Sequence, residues 1–231
     1  MEITWISIIV PVLNEAQGIS ESLAALAPLR ERGHEVIVVD GGSSDKTPDL
    51  ARRAADRVVS APRGRASQMN AGAALARGEV LLFLHADTRL PEDAAARILQ
   101  GLAASGRAWG RFDVRIEGEN RLLPVIAFLM NLRSRATGIA TGDQAIFVRR
   151  DAFERAGRFP SLELMEDIAL SRSLKRVSRP LCLADKAVTS GRRWEQRGVL
   201  RTVFLMGWLR LAFFFGVAPA SLARFYDGER G

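Results

Sequence analysis

The chain has 231 residues, 33 Lys and Arg against 26 Asp and Glu for a net charge of +7, and 48% apolar content. This composition excludes disordered and fibrous classes, and at roughly 150 residues per domain the length fits one large domain or one domain with an appendage. A single cysteine, Cys182, excludes an internal disulfide framework and a Cys-rich zinc site and suits a reducing compartment. The charge is uneven: residues 192–231 hold seven Arg against Glu195, Asp227 and Glu229, which is +4 of the +7. No basic segment precedes the apolar run Ile3–Val12, which Pro11, Asn14 and Glu15 break too early for a signal peptide, so secretion by that route is not expected.

Ile6–Val10 is a nearly continuous β-branched run, the pattern of a strand buried on both faces. A helical pattern follows over about 15–32 and closes at Gly33, then come a strand from Val36 ending in Asp40, a helix over about 45–55 and a strand Arg57–Ser60. A helix over 66–77 closes at Gly78, and Val80–Leu84 reads as another buried strand. Strands alternating with helices imply βαβ units, an α/β domain and a mainly parallel sheet. Beyond about residue 105 the pattern loosens. Trp109–Ile116 alternates like an antiparallel strand, Leu122–Leu132 is an apolar helical run, Ala145–Val148 a short strand and Leu164–Val177 an amphipathic helix. Val199–Ala218 is apolar except for Arg201, Thr202 and Arg210. A spanning helix needs ~20 mostly apolar residues, and Arg210 near the centre argues against one. An interfacial helix with its arginines at lipid headgroups fits, as does a helix packed on the domain or on a second subunit.

In open parallel sheets ligands bind beyond the carboxyl ends of the strands, here at Pro11–Glu15, Asp40–Asp45 and His85–Asp87. No two glycines stand two apart, which removes the dinucleotide fingerprint; the phosphate loop of ATPases and the serine nucleophile elbow are missing too. Carboxylates, arginines and glycines remain. The glycines after Asp40 permit a tight turn in which Ser44 or Asp45 caps the next helix, and Asp40 can accept hydrogen bonds from a base or ribose. Asp87 suits a hard cation such as Mg²⁺ or Mn²⁺, or caps the segment after Pro91. Arg63, Gly64 and Arg65 stand at a helix start able to hold anionic groups, or form an exposed basic loop. Glu166 and Asp167 are ordinary first-turn partners of a helix dipole, or one of them is a general base.

Val10-Pro11-Val12-Leu13-Asn14-Glu15, Val38-Val39-Asp40-Gly41-Gly42-Ser43-Ser44-Asp45-Lys46-Thr47, the Gly64–Gly72 helix start, His85-Ala86-Asp87 and Glu166-Asp167 occur in one order. In that order they resemble a family 2 glycosyltransferase of the GT-A fold, over residues 3 to about 195. Thr141–Phe147 and Leu164–Asp167 further resemble the small bacterial selenodomain-associated transferases. The resemblance implies a GT-A (Rossmann-like) domain over 1–195 with a mainly parallel mixed sheet. The residues themselves add a C-terminal amphipathic helix in an apolar and basic helical appendage over 196–231. It implies an inverting transferase that uses a nucleotide-diphosphate sugar and Mn²⁺ or Mg²⁺. Pro11, Val12 and Glu15 would line the nucleoside pocket, Asp40 would hydrogen-bond the base, and Arg65 and Asn70 would approach the donor. Asp87 would bind the metal, and Asp167, beside Glu166, would deprotonate the acceptor hydroxyl. Two residues depart from the family pattern: His85 replaces the first Asp of D-x-D, and Ser190 replaces the Gln of the Q-x-x-R-W element of processive members, so processive synthesis is not expected. Arg192 or Arg193 would contact the diphosphate or acceptor, and Trp194 would stack on a sugar or sit in the core.

The expected partners are the nucleotide-sugar donor, an acceptor with lipid-linked molecules among the candidates, and a membrane surface or second copy met by the C-terminal helix, with no nucleic acid. The expected location is cytoplasmic, extending to the inner face of the plasma membrane. Two competing readings are a sugar-phosphate nucleotidyltransferase, whose Gly-rich, Lys-containing loop after the first strand is absent, and a non-catalytic membrane-surface protein suggested by the basic, aromatic tail.

Overall fold

The structure, a computed structural model, describes residues 5–228, and for Arg193, Arg197, Asp227 and Gly228 the backbone alone. Strand β1 (Ile6–Val12) is buried along almost its whole length, as its β-branched run requires. The helical stretch after it is two short helices, α1 (Ile19–Ala24) and α2 (Ala27–Glu31). Pro28 cannot continue the first hydrogen-bond ladder and opens the second. Next come β2 (Glu35–Asp40), α3 (Thr47–Ala51), β3 (Arg57–Ser60), α4 (Arg65–Leu75) and β4 (Val80–Phe83). β3 pairs with β2, β2 with β1 and β1 with β4, all parallel. Close helix–sheet packing explains one glycine: a Cβ at Gly72 on α4 would lie 2.5 Å from Ile9 Cγ2 and 3.0 Å from Val39 Cγ2.

The second half contains β5 (Thr88–Arg89), α5 (Ala94–Ser105), β6 (Trp109–Glu117), α6 (Leu123–Thr137), β7 (Phe147–Arg149), α7 (Arg150–Arg155), α8 (Glu166–Leu174) and β8 (Leu181–Ser190). The eight strands form one sheet in the order β3-β2-β1-β4-β7-β6-β8-β5. β7 runs antiparallel to β4 and β6, and β5 antiparallel to β8, whereas β6 and β8 are parallel. The result is a single α/β domain with a mixed, mostly parallel sheet. Trp109–Ile116 was expected to be antiparallel. That holds only where Trp109 and Gly110 meet β7, because Gly110–Glu117 pairs in parallel with β8 across a register shift at Phe112/Asp113. Period-2 alternation reports a half-buried strand, not the direction of its neighbour.

Side chains alternate across the sheet. Ile8 and Val10 enter the core shared with Leu23, Val38 and Ile98, while Ile9 enters the opposite core with Met69, Phe83, Phe153 and Leu170. At the amino end of the strands, buried Glu35 accepts from Ser7 Oγ (2.7 Å), Arg77 N (3.0 Å) and Arg77 Nε (3.1 Å), with Arg57 Nε 3.6 Å away.

The tail is not the one helix expected. α9 (Arg192–Arg197) leads into α10 (Val199–Phe214) and α11 (Pro219–Gly228), and Leu209, Leu222 and Tyr226 of these last two pack on Met165 and Ile168. Polarity on α10 is inverted, since Thr202 is buried while Leu200, Phe204, Leu211 and Phe214 are exposed. No helix among the described residues is long and apolar enough to cross a membrane.

Candidate active site

A cavity of about 670 Å³ opens at the carboxyl ends of β1 and β4, lined among others by Pro11, Val12, Glu15, Arg65, His85, Asp87, Glu166 and Trp194. Small-molecule sites occupy roughly 300–1,000 Å³ and favour this edge of an α/β sheet. The first two loops are fastened to each other. Asn14, at φ 55°, donates its backbone N–H to Ser43 Oγ (2.9 Å) and accepts from Ser44 N through its side chain (2.9 Å). Glu15 N donates to Thr47 Oγ1 (2.8 Å), and Ala16 N to Asp45 Oδ2 (3.2 Å). Ser43, Asp45 and Thr47 therefore hold the loop after β1 in shape. Of the two caps expected for the next helix, Asp45 meets the first amide of α3, its Oδ1 accepting from Thr47 N (3.0 Å), although Lys46 holds the cap position itself and makes no side-chain cap bond.

Asp40 is buried and does not line the cavity. Its carboxylate accepts from Gly42 N (3.0 Å), Ser43 N (3.1 Å) and the Ser43 hydroxyl, closing the turn. Behind it Gln68 Nε2 bridges the carbonyls of Val12 (2.9 Å) and Val39 (2.7 Å), joining the ends of β1 and β2. Asn70 also faces away from the cavity. It donates to Phe159 O (2.8 Å) and accepts from Phe159 N (3.1 Å), which pins the segment before α8. Arg65, at the first position of α4, lies 4.0 Å from Glu166 Oε1.

Asp87 is exposed between β4 and β5, and its Oδ1 accepts a long 3.4 Å bond from Thr88. Mg²⁺ and Mn²⁺ take oxygen donors and are commonly held by one or two carboxylates with substrate phosphates. An exposed carboxylate at this edge fits such an ion. Among the described residues no three His, Cys, Asp or Glu side chains gather into a cage, so phosphate oxygens or water would complete the shell. His85 turns aside from Asp87's role. Its Nδ1 is 3.2 Å from Asp143 Oδ1, and its Nε2 packs so closely on Gly142 that a Cβ there would overlap it.

Asp167 accepts from Gly142 N (2.9 Å) and from Ile168 N (2.7 Å), so the turn Gly142–Gln144 and the start of α8 are locked through it. Met165, just before this turn of α8, has φ 68°, and Ala145 has φ 47°. Left-handed backbone at non-glycine residues costs ~1–3 kcal/mol and concentrates where function fixes geometry. Glu166 is buried, and burial followed by the charge of Asp167 pushes its pKa above the ordinary carboxylate range. Trp194 lines the cavity and packs, partly buried, on the cluster of Val114, Ile116 and Leu123. The side chain of Arg193 lies outside the described residues.

Neither Asp143 nor Arg133 stands out in sequence, and Arg210 is open to two readings, a headgroup contact or part of a helix packed on the domain. Arg210 lines the cavity, in keeping with the second. Burial lowers its pKa, with Asp167 and Asp143 offsetting part of the effect. Burial and then the charge of Arg210 bring Arg133 down to about 10. The available signal was energetic: an arginine amid an apolar helix is costly unless something anionic meets it.

The fold and its cleft define an α/β protein with acidic and cationic groups converging at the ends of parallel strands. Residues 7–157 match the family described as Glycosyl transferase family 2, and the chain belongs to that family. It is 29% identical over 172 residues to undecaprenyl-phosphate 4-deoxy-4-formamido-L-arabinose transferase of Pseudomonas syringae pv. syringae, covering 64% of this chain and 47% of that one. It is 26% identical over 223 residues to poly-beta-1,6-N-acetyl-D-glucosamine synthase of Staphylococcus epidermidis, covering 85% and 53%. Among solved structures it is similar to the mannosyltransferase PcManGT from Pyrobaculum calidifontis in complex with GDP-Man and Mn²⁺, with TM-score 0.60, 25% identity and coverage of 79% and 56%. The chain spans about half the length of the curated relatives it matches.

Proposed function

We propose that this chain is an inverting glycosyltransferase that moves a sugar from a nucleoside-diphosphate donor to an acceptor hydroxyl. The observation that carries the reading is the single cavity edge shared by Pro11, Val12, Glu15, Arg65, Asp87 and Glu166, with Asp167 beside it. Pro11, Val12 and Glu15 bind the nucleoside, and Asp40 acts behind them by closing the turn that the base would meet. Asp87 would hold a divalent cation, which when bound would supply positive charge beside the diphosphate. Arg65 and Asn70 stabilise the donor side, Asn70 by fixing the Phe159 segment. Asp167 takes the proton of the attacking hydroxyl, beside Glu166, whose pKa burial raises. His85, paired with Asp143, orients the turn that carries Gly142 toward Asp167. Trp194 and Arg193 act at the sugar and acceptor side.

The segments Thr141–Phe147 and Leu164–Asp167 support placement in the selenodomain-associated subgroup. The C-terminal helices 196–231 form a unit appended to the 1–195 domain that contributes cavity wall and, through the exposed face of α10, peripheral contact with the inner leaflet or a second copy. The relatives' names differ in acceptor, one an undecaprenyl phosphate and the other a polysaccharide, so they do not choose one for this chain. A panel of nucleotide sugars incubated with Mn²⁺ tests the reaction class. Release of nucleoside diphosphate is expected, and release of pyrophosphate from a nucleoside triphosphate and sugar phosphate would replace the reading with a nucleotidyltransferase.

A further inference from the structure

Among the described residues β7 pairs with β6 only at Trp109 and Gly110, so beyond Gly110 that side of β6 has no strand beside it, while Val114 meets Ala187 of β8 on the other side. Asn131 of α6 takes the missing strand's place at Val114. Its Nδ2 donates to Val114 O (2.9 Å) and its Oδ1 accepts from Val114 N (2.8 Å). Meeting both backbone groups fixes which end of the amide is oxygen. That oxygen has a second lone pair, and Gln144 Nε2 donates to it (3.3 Å). Gln144 is fully buried and its Oε1 accepts from Thr141 N (3.2 Å), so both ends of its amide are engaged. It closes the turn Gly142–Gln144, whose first amide, Gly142 N, donates to Asp167 Oδ2 (2.9 Å). A hydrogen-bonded path therefore runs from the sheet through Asn131 and Gln144 to Asp167. Ala145, next in the chain, has φ 47°, a left-handed conformation that a non-glycine residue keeps only where its surroundings impose it.

We propose that Gln144 and Asn131 are positioning residues for the base: together they brace the Gly142–Gln144 turn so that the Gly142 amide aims the Asp167 carboxylate at the attacking oxygen. Buried amides that satisfy one another are rigid and specify a single arrangement. A backbone N–H bonded to a carboxylate favours its ionised form, and a general base must hold its oxygen within hydrogen-bond reach of the proton it takes. The proposal rests on the glycosyltransferase reading for what Asp167 does, but not for the brace itself.

The test is Gln144→Met in the full chain, which keeps the side chain's length and the Asn131–Val114 pair and removes both amide contacts of position 144. Turnover is read as hydrolysis of UDP-GlcNAc and GDP-mannose with Mn²⁺: water attacks the anomeric carbon, its proton passes to Asp167 and the bond to the diphosphate breaks. The variant should lower kcat at least about tenfold, because small displacements at reacting groups are that costly. The acid limb of its kcat–pH profile should move upward by about half a pH unit or more, the size of a weakened amide bond to the base. KM for the donor and affinity for UDP and GDP should stay within about twofold, which also shows that the variant folds. Glu35→Ala, buried at the far end of the sheet, should lose stability without either kinetic change. An unchanged kcat, a kcat loss matched by Glu35→Ala, or parallel losses of kcat and nucleotide affinity would overturn the proposal. Hydrogen exchange reads the brace without turnover. The Gly142 amide should exchange at least about tenfold faster in Gln144→Met, with the amides of β1 and β4 unaltered, and equal protection in the two proteins would overturn the brace. Faster exchange in the variant, with neither nucleotide sugar hydrolysed by the wild-type chain, would count against the glycosyltransferase reading and leave the brace standing.

Discussion

The two ends of the sheet treat buried charge in opposite ways. At the amino end Glu35 is enclosed by Ser7, Arg77 and Arg57, and its oxygens are met by donors at hydrogen-bonding or ion-pair distance. At the carboxyl end Glu166 is buried beside Asp167 with Arg65 4.0 Å off, and guanidinium nitrogens of Arg133 and Arg210 lack partners among the described residues. A satisfied network holds strands together; an incompletely satisfied one is costly to the fold and is retained where a ligand completes it. The contrast separates residues that support stability from those that bind and react.

Substitutions can break that contrast. Asp167→Asn should reduce turnover by about 10²–10⁴-fold with donor binding retained, the usual range for removing a general base; comparable losses in donor affinity would show that Asp167 is a binding group. Glu35→Ala should do the reverse, costing about 1–3 kcal/mol in urea unfolding because the Ser7 hydroxyl and the Arg77 amide lose their buried acceptor, while turnover of the folded fraction stays near wild type. Gly142→Ala pushes on His85 and shifts the amide that Asp167 accepts from. A displacement of about 1 Å at reacting groups can cost about 100-fold, so steady-state kinetics should show a kcat loss with an unaltered melting temperature.

The smallest effect is a stability gain. Because the pKa of Glu166 is raised on folding, the native state binds the proton more tightly, and stability contributed by the protonated form is present below about pH 4.5 and declines as pH rises through the folded pKa. Glu166→Gln should therefore be more stable than wild type at neutral pH in urea unfolding, with the difference vanishing in acid. A variant less stable at neutral pH would mean that the pairing with Arg65 outweighs burial.

The donor half was legible because its signals are local. Continuous β-branched runs and the residues after them gave β1, β2, β3 and β4 nearly to the residue, and Pro11, Val12, Glu15, Arg65 and Asp87 do converge on one cavity. The acceptor half depends on long-range contacts. β8 has only half-buried or exposed positions over Leu181–Lys186 and forms because β6 pairs with it, which no window of sequence reveals. Asp40 and Asn70 show the limit of motif reading: residue type and position were right for a ligand contact, yet their side chains fasten turn and loop. Arg210 stands between two readings because apolar content signals a membrane face and an inward-packed helix alike, and the structure fits the second.

The central claim is that Asp87 and the loops after β1 and β4 form a metal-assisted nucleoside-diphosphate site. Calorimetric titration of UDP and GDP into the wild-type chain and Asp87→Ala, with and without Mn²⁺, tests it most directly. The account predicts binding of one of the two nucleotides that Mn²⁺ strengthens at least tenfold, and loss of that Mn²⁺ effect in Asp87→Ala. Binding that ignores both the cation and the substitution would contradict it.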